Sequence, residues 1–273
     1  MKIILNGEFL EENKAVIPIN DKGYFFDFAV YSSVKVINGK VFFPEYHVCR
    51  LFESAKKIGL AHEFKEVGVI SWLKKLADIN EGNILYRILL IGNAEGDSSK
   101  AKLYIFAVGN LTFYPDKLYK RGTKVITYNG ERRIPQSKSK DLLMSFLAYR
   151  QAVQTDSIDA LLVDNKGNIR EGTRSNFFAI KGEEIIVPPP GLVLEGITKK
   201  IICNVVNNNF RIQEENIPFR DIHQYEEFFI SSTSINVMPI KQINDIVFNS
   251  SFEKTHLIQG LYKKFYDEEI LKK

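Results

Sequence analysis

Cysteine is nearly absent from the 273-residue chain: Cys49 and Cys203 are the only two, far apart in sequence. Their spacing matches no metal or redox motif, so both read as inert thiols in a reducing cytosol. No apolar run approaches the ~20 residues a membrane-spanning helix needs. The opening Met1-Lys-Ile-Ile-Leu5 is apolar for three residues and then polar, so no signal peptide is expected. An excess of charge is missing too. Thirty-seven Lys+Arg against 33 Asp+Glu leave +4, spread along the chain, which does not argue for nucleic acid or an acidic membrane. There is no internal repeat or low-complexity tract. The four histidines, His47, His62, His223 and His256, form no metal-ligand pattern. No Gly-x-Ser-x-Gly elbow is present, and Gly92-Asn-Ala-Glu-Gly96 has the wrong spacing for a dinucleotide fingerprint. What is present is ordinary globular material, 45% hydrophobic with 12% aromatic residues, which excludes disorder as the main state.

The length suits one or two domains. Two turn pairs, Asn6-Gly7 and Asn38-Gly39, each lie between β-rich runs and predict hairpins, the second running through 29–37 and returning over 41–43. His47, Leu51, Ser54, Ala55, Ile58 and Leu60 fall at helical spacing. Residues 67–79 predict another helix, with strands at 84–91 and 103–108. Further strands are expected at 124–128, 160–163, 176–180 and 227–231. The runs 160–163 and 176–180 are read as one hairpin around the Asn165–Asn168 turn. Helices are expected over 142–153, 196–207 and 252–271. The first of these would have Leu142, Leu143, Phe146, Leu147 and Val153 on one apolar side. Strands and helices mix without strict alternation, so the fold expected is α+β in two domains. These are a small N-terminal α+β domain over 1–110, a linker at 111–120 around Pro115, and a larger, β-rich α+β domain over 121–273.

Five local features carry possible chemistry, and each has a plainer reading beside it. Lys138, in Ser137-Lys-Ser-Lys-Asp141, is placed to form a Schiff base or to be one more surface lysine. Glu171 offers a carboxylate between two strand signals, or a solvated hairpin residue. Gly196-Ile-Thr198 opens a helix whose first N–H groups favour an anion, or simply caps it. Ser231-Ser-Thr-Ser234 offers hydroxyls and N–H groups to a phosphate or carboxylate, or is simply a polar strand end. Arg50 offers a guanidinium to a phosphate, or sits on a helix surface.

Their order is more informative than any one of them. Asp21-Lys-Gly-Tyr-Phe-Phe-Asp27, Tyr31, His47-Val-Cys-Arg-Leu51, Lys138, Glu171-Gly-Thr-Arg-Ser-Asn176, Gly196-Ile-Thr198, Ser231-Ser-Thr233 and Met238-Pro239 follow one another along nearly the whole chain. The series resembles the class IV (fold type IV) pyridoxal-phosphate enzymes: branched-chain aminotransferases, D-amino-acid aminotransferases and aminodeoxychorismate lyases. The resemblance implies a cofactor, pyridoxal 5′-phosphate, lying between two domains, and a homodimer with residues near Tyr31 shared across subunits. It implies that Lys138 carries the Schiff base and shuttles the proton, with Lys140 as a rival two positions later. Glu171 would face the pyridine nitrogen. Arg50, Ile197, Thr198, Ser232 and Thr233 would hold the phosphate. Tyr31 and Ser33, with Arg87 and Arg174 as carboxylate-binding arginines, would face the substrate; Arg174 reads equally well as an outward hairpin side chain.

Departures from the family pattern bear on the substrate. The glutamate usual after the aromatic residue is Ser32, so Tyr31-Ser-Ser33 looks like the lyases, as does Met238-Pro239. The Arg-x-His that marks D-amino-acid aminotransferases is missing from 89–94, which counts against a D-amino-acid enzyme. Two activities remain expected. One is transamination between an amino acid and a 2-keto acid. The alternative is elimination of pyruvate from aminodeoxychorismate to give 4-aminobenzoate for folate biosynthesis. A scaffold without turnover is argued against by Lys138 and Glu171. The setting expected is the cytoplasm, with small-molecule substrates and no nucleic acid, membrane or metal.

Overall fold

A computed structural model describes residues 1–111 and 113–271 of the chain. Two compact units result: Met1–Thr112 with Ser137–Asp141, and Phe113–Gln136 with Leu142–Lys273.

The first unit is built on strands β1 (Lys2–Leu5), β2 (Glu8–Glu11), β3 (Ala29–Ile37), β4 (Lys40–Val41), β5 (Ile84–Ile91) and β6 (Lys102–Asn110), with helices α1 (Lys22–Phe25), α2 (Pro44–Lys57) and α3 (Glu66–Ile79). The strands pair antiparallel in the order β2-β1-β6-β5-β3-β4. Both expected tight turns form, with Asn6 and Asn38 at φ 52° and 50° and Gly7 and Gly39 at 94° and 75°, as a twist-matched hairpin turn requires. β4 ends earlier than expected. Phe43 takes a left-handed conformation and Pro44 occupies the first turn of α2, so the chain turns into the helix instead of extending the strand.

Side-chain alternation sets the two faces of this sheet. Val30, Val34 and Val36 of β3 and Tyr86, Ile88 and Leu90 of β5 join Val48, Leu51 and Ala55 of α2 and Val69, Leu73 and Leu76 of α3 in one core. Tyr31, Ser33 and Lys35 therefore occupy the opposite face, where Ser33 is the register partner of Arg87. β4 covers β3 only at Val36 and Ile37. Near its start, that same edge is met by the segment 137–141. Tyr31 N donates to Lys138 O and Lys140 N to Ala29 O, each at 2.9 Å, around a Val30–Ser139 bridge. These bonds are why the segment belongs to the first unit, where a single crossing near 111–120 was expected.

The second unit contains α4 (Asp116–Arg121), β7 (Thr123–Asn129), α5 (Leu143–Gln154), β8 (Ala160–Val163), β9 (Asn168–Gly172), β10 (Asn176–Lys181), β11 (Glu184–Val187), α6 (Ile197–Val205), β12 (Arg211–Glu214), β13 (Ile217–Pro218), β14 (Glu227–Ser232), β15 (Asn236–Ile243), β16 (Ile246–Val247) and α7 (Glu253–Leu271). The expected linker is partly α4. Its Leu118 and Tyr119 pack on the core, and Tyr119 Oη donates to Ile235 O at 3.1 Å. The strands run β12-β11-β10-β14-β15-β7-β8-β9-β13, and an added β10–β9 pairing at Asn176–Glu171 closes six of them into a ring. The hairpin partner of β8 is β9, not the 176–180 run, which pairs with β14 and β11. The expected apolar side of α5 is also inverted. Leu143 and Phe146 are 69% and 58% exposed, while Ser145, Ala148 and Ala152 face the core. Small residues let α5 lie close against β7 and β8 and leave its large apolar side chains outside.

Among the described residues no helix is long and apolar enough to cross a membrane.

Candidate active site

In the first unit the site residues gather around β3. Lys138 Nζ lies 4.7 Å from the centre of the Tyr31 ring, and Arg87 Cζ lies 4.8 Å from the same centre. Arg87 Nε is buried without a hydrogen-bond partner. Lys140, the rival lysine, is engaged elsewhere: it pairs with the Asp27 carboxylate, and its Nζ lies 4.1 Å from the Tyr24 ring centre. Helix α2 holds the segment from behind. Ser137 Oγ donates to Ser54 O and Lys138 N to Ser54 Oγ, both at 3.1 Å. One turn earlier, Arg50 Nη2 donates to Ser32 Oγ at 2.9 Å. His47, Arg50 and Ser54 thus lie along one stripe of α2, at spacings of three and four.

Two groups here escaped the sequence reading. Ser54 was visible only as a helical-spacing residue. Lys35 shares the parity of Tyr31 and Ser33, which was its one signal; burial pushes its amine down to about 8 from 10.5.

In the second unit a row of residues crosses the strands. Glu171 of β9 is the register partner of Asn176 of β10, and Asn176 that of Ser231 of β14. Glu171 is buried, not a solvated hairpin residue; its Oε1 lies 3.4 Å from Arg132 Nε, and its Oε2 accepts from Leu194 N at 3.3 Å. Asn176 Nδ2 donates to Leu194 O at 2.8 Å. Two residues on, Gly196 caps α6 where a Cβ would stand 2.0 Å from Asn176 Oδ1. The spacing of the Glu-Gly-x-x-x-Asn and Gly-Ile-Thr elements therefore has a steric cause. One strand pair carries the carboxylate and also supports the start of the helix.

Ile197 and Thr198 form the first turn of α6, whose N–H groups have no carbonyl one turn back. The Tyr262 hydroxyl, pushed up to about 12 by burial, hydrogen-bonds the Thr198 side chain. At the end of β14, Ser232 Oγ accepts from Ile235 N at 3.2 Å, bracing the turn that contains Thr233. Ser231 Oγ is buried with no hydrogen-bond partner. Asp159 ties the intervening 172–175 turn by accepting from Thr173 N and Ser175 Oγ. Arg174, on that turn, is exposed and lies over the Tyr149 ring at 4.1 Å, which favours its outward reading. Arg132 was not foreseen, because nothing in its sequence surroundings separates it from Arg133.

Each unit, taken by itself, carries groups an enzyme uses: in the first an amine held on a sheet edge, in the second a buried carboxylate backed by an arginine and a glycine-capped helix start suited to an anion. The comparisons give the family. The class IV amino-transferase profile matches residues 29–243. A D-alanine aminotransferase from Bacillus licheniformis is 30% identical over 256 residues, 89% of each chain. A putative branched-chain-amino-acid aminotransferase from Methanocaldococcus jannaschii is 27% identical over 282 residues, covering 98% of this chain and 96% of its own. The chain belongs to the class IV aminotransferase family and is an aminotransferase. The fold agrees. The branched-chain aminotransferase of Thermoproteus uzoniensis, solved with norvaline, superposes with a TM-score of 0.84 at 21% identity, over 97% of this chain and 94% of its own.

These relatives do not favour the lyase, and the two residues that suggested it have other duties. Met238 is fully buried in the core of the second unit, so its identity reports packing. Ser32 turns toward α2 and bonds Arg50, away from the Tyr31 face.

Proposed function

We propose that this aminotransferase exchanges an amino group between an amino acid and a 2-keto acid using pyridoxal 5′-phosphate, with Lys138 as its covalent anchor. The observation carrying the assignment is the contrast between the two lysines: Lys138 turns to Tyr31 while Lys140 is paired with Asp27. The residues present fit the cofactor. The α6 start, which Gly196 lets pack against Asn176, and the partnerless Ser231 hydroxyl suit a phosphate, and buried Glu171 suits a ring nitrogen. A branched-chain aminotransferase of the same fold was solved with pyridoxamine 5′-phosphate.

When bound, the cofactor supplies the electron sink that makes loss of the substrate α-proton feasible. The chain would supply the rest. Arg50, the Ile197 and Thr198 N–H groups, Ser232 and Thr233 would hold its phosphate. Glu171 would keep the ring nitrogen protonated, with Arg132 offsetting the buried carboxylate charge. The Lys138 amine would take up and return the proton at the substrate Cα. Tyr31 and Ser33 border the substrate, and Arg87, with its partnerless Nε, receives a carboxylate.

The enzyme acts as a cytoplasmic homodimer in this reading. Support comes from apolar side chains that the single chain leaves outside: Phe25 and Phe26 in the first unit, Leu143 and Phe146 in the second.

The purified protein should be yellow. Lys138→Ala should lose the long-wavelength band of lysine-bound cofactor while Lys140→Ala keeps it. An amino acid added without keto acid should bleach the wild type to the pyridoxamine form. The reverse lysine result, or no bleaching with any amino acid, would overturn the reading.

A further inference from the structure

Two buried polar residues beside the site have no role in the reaction described so far. Ser32 on β3 is 0% exposed and His47 on α2 is 1% exposed. Ser32 Oγ lies 2.9 Å from His47 Nδ1 and accepts from Arg50 Nη2 at 2.9 Å. A serine hydroxyl has one proton to give, and a guanidinium only donates. Arg50 occupies one lone pair of Ser32, and His47 Nδ1 takes up the hydroxyl's remaining hydrogen bonding. Burial, with the charges of Arg50, Lys138 and Lys35, holds His47 well below its ordinary 6.5, so the ring meets the hydroxyl uncharged. Arg50, Ser32 and His47 form one buried hydrogen-bonded chain.

The chemistry of this relay differs from that of an ion pair. A carboxylate at position 32 would fix the guanidinium by neutralising it. A hydroxyl fixes one corner of the fork without itself neutralising the guanidinium. An arginine side chain also carries rotamer entropy, which a buried hydrogen bond to Ser32 reduces before any ligand arrives.

We propose that Ser32 and His47 are positioning residues that aim Arg50 at the cofactor phosphate, Ser32 by accepting from Nη2 and His47 by holding the Ser32 hydroxyl in place. The proposal rests on the reading of Arg50 as a phosphate ligand, and the test separates the two. Full-length protein freed of cofactor is titrated with pyridoxal 5′-phosphate and with pyridoxal, which lacks the phosphate. Loss of one hydrogen bond to a charged group is worth roughly a tenfold change in affinity. Ser32→Ala should weaken pyridoxal phosphate about tenfold and leave pyridoxal within about twofold. Ser32→Thr, which keeps the hydroxyl, should restore affinity. His47→Phe should weaken the phosphate compound in the same selective way and add little to Ser32→Ala, because both interrupt one relay.

Equal weakening of both aldehydes would mean general damage and would overturn the proposal, as would unchanged phosphate affinity in Ser32→Ala. Arg50→Ala is the control. If it too fails to discriminate between the aldehydes, the phosphate role of Arg50 falls. If it discriminates and Ser32→Ala does not, only the relay falls. Thermal melts of the cofactor-free variants identify any that fold poorly, and Ser32→Ala, the smallest change, decides the outcome.

Discussion

The main-chain nitrogen of Lys138 donates to Ser54 Oγ at 3.1 Å across 84 positions of sequence. The lysine is thereby fixed on two sides, because its carbonyl accepts from Tyr31 N on the edge of β3. A reactive amine on a five-residue segment needs such fixing, since a misplacement of ~1 Å can cost on the order of a hundredfold in rate.

Ser54→Ala should therefore lower kcat severalfold with a smaller change in KM. The lost bond should also reduce stability by about 1 kcal/mol. Ser54→Thr should recover most of both. Steady-state kinetics beside a denaturant melt checks this, and an unchanged kcat would show that the β3 edge alone holds the lysine.

Gly196 should resist substitution for reasons of space. Its φ is −69°, so the backbone suits any residue, but an added Cβ would stand 2.0 Å from Asn176 Oδ1. Overpacking of this kind costs roughly 1–3 kcal/mol. Gly196→Ala should lower both Tm and cofactor affinity, and adding Asn176→Ala should return part of the Tm by opening the space. If the double variant is simply the sum of two losses, the clash is not the cause.

Arg132 and Glu171 form a buried ion pair, with side chains 8% and 5% exposed and 3.4 Å between Nε and Oε1. Removing one partner of a buried ion pair typically costs about 3 kcal/mol or more. Arg132→Met should destabilise the protein by that order, and Arg132→Met with Glu171→Gln should regain much of it. Denaturant melts of the cofactor-free variants measure this; additive losses would mean the two side chains do not act as a pair.

How far these features were legible depends on what carried their signal. β3 and β5 announce themselves by β-branched and apolar runs, and α2 and α3 by apolar residues at helical spacing. β9 was invisible because all five of its residues are buried although two are charged; Arg170 pairs with Asp164 and Glu171 with Arg132, partners that no local pattern reveals. β15 was hidden by Pro239, which argues against a central strand. The parallel pairing with β7 begins only at Ile240, one residue beyond it. The Lys138 segment gave its chemistry through motif order, but its place on the β3 edge rests on a few main-chain bonds with no periodicity to read. The large side chains of α5 misled because an apolar stripe was equated with a core face, whereas Ala148 and Ala152 make the close approach.

Lys35 supplies a prediction about pH. Its side chain shares the β3 face of Tyr31 and Ser33, and burial pushes its amine down to about 8 from an ordinary 10.5. Between those values the unfolded chain binds a proton that the folded chain does not, so stability rises with pH across that window. Below about 8 both states carry the charge, and the cost of burying it is present in full. Lys35→Met keeps the length and removes the charge. At pH 7.5 the variant should be more stable than the wild type by up to about 3 kcal/mol, and the gap should narrow by about 2 kcal/mol at pH 10. Denaturant melts of the cofactor-free proteins at the two pH values measure the difference directly, with the variant cancelling every other titrating group. A gap that does not change with pH would mean that Lys35 keeps its ordinary proton affinity in the fold. A variant less stable than the wild type at both pH values would mean that the buried ammonium is compensated by its neighbours.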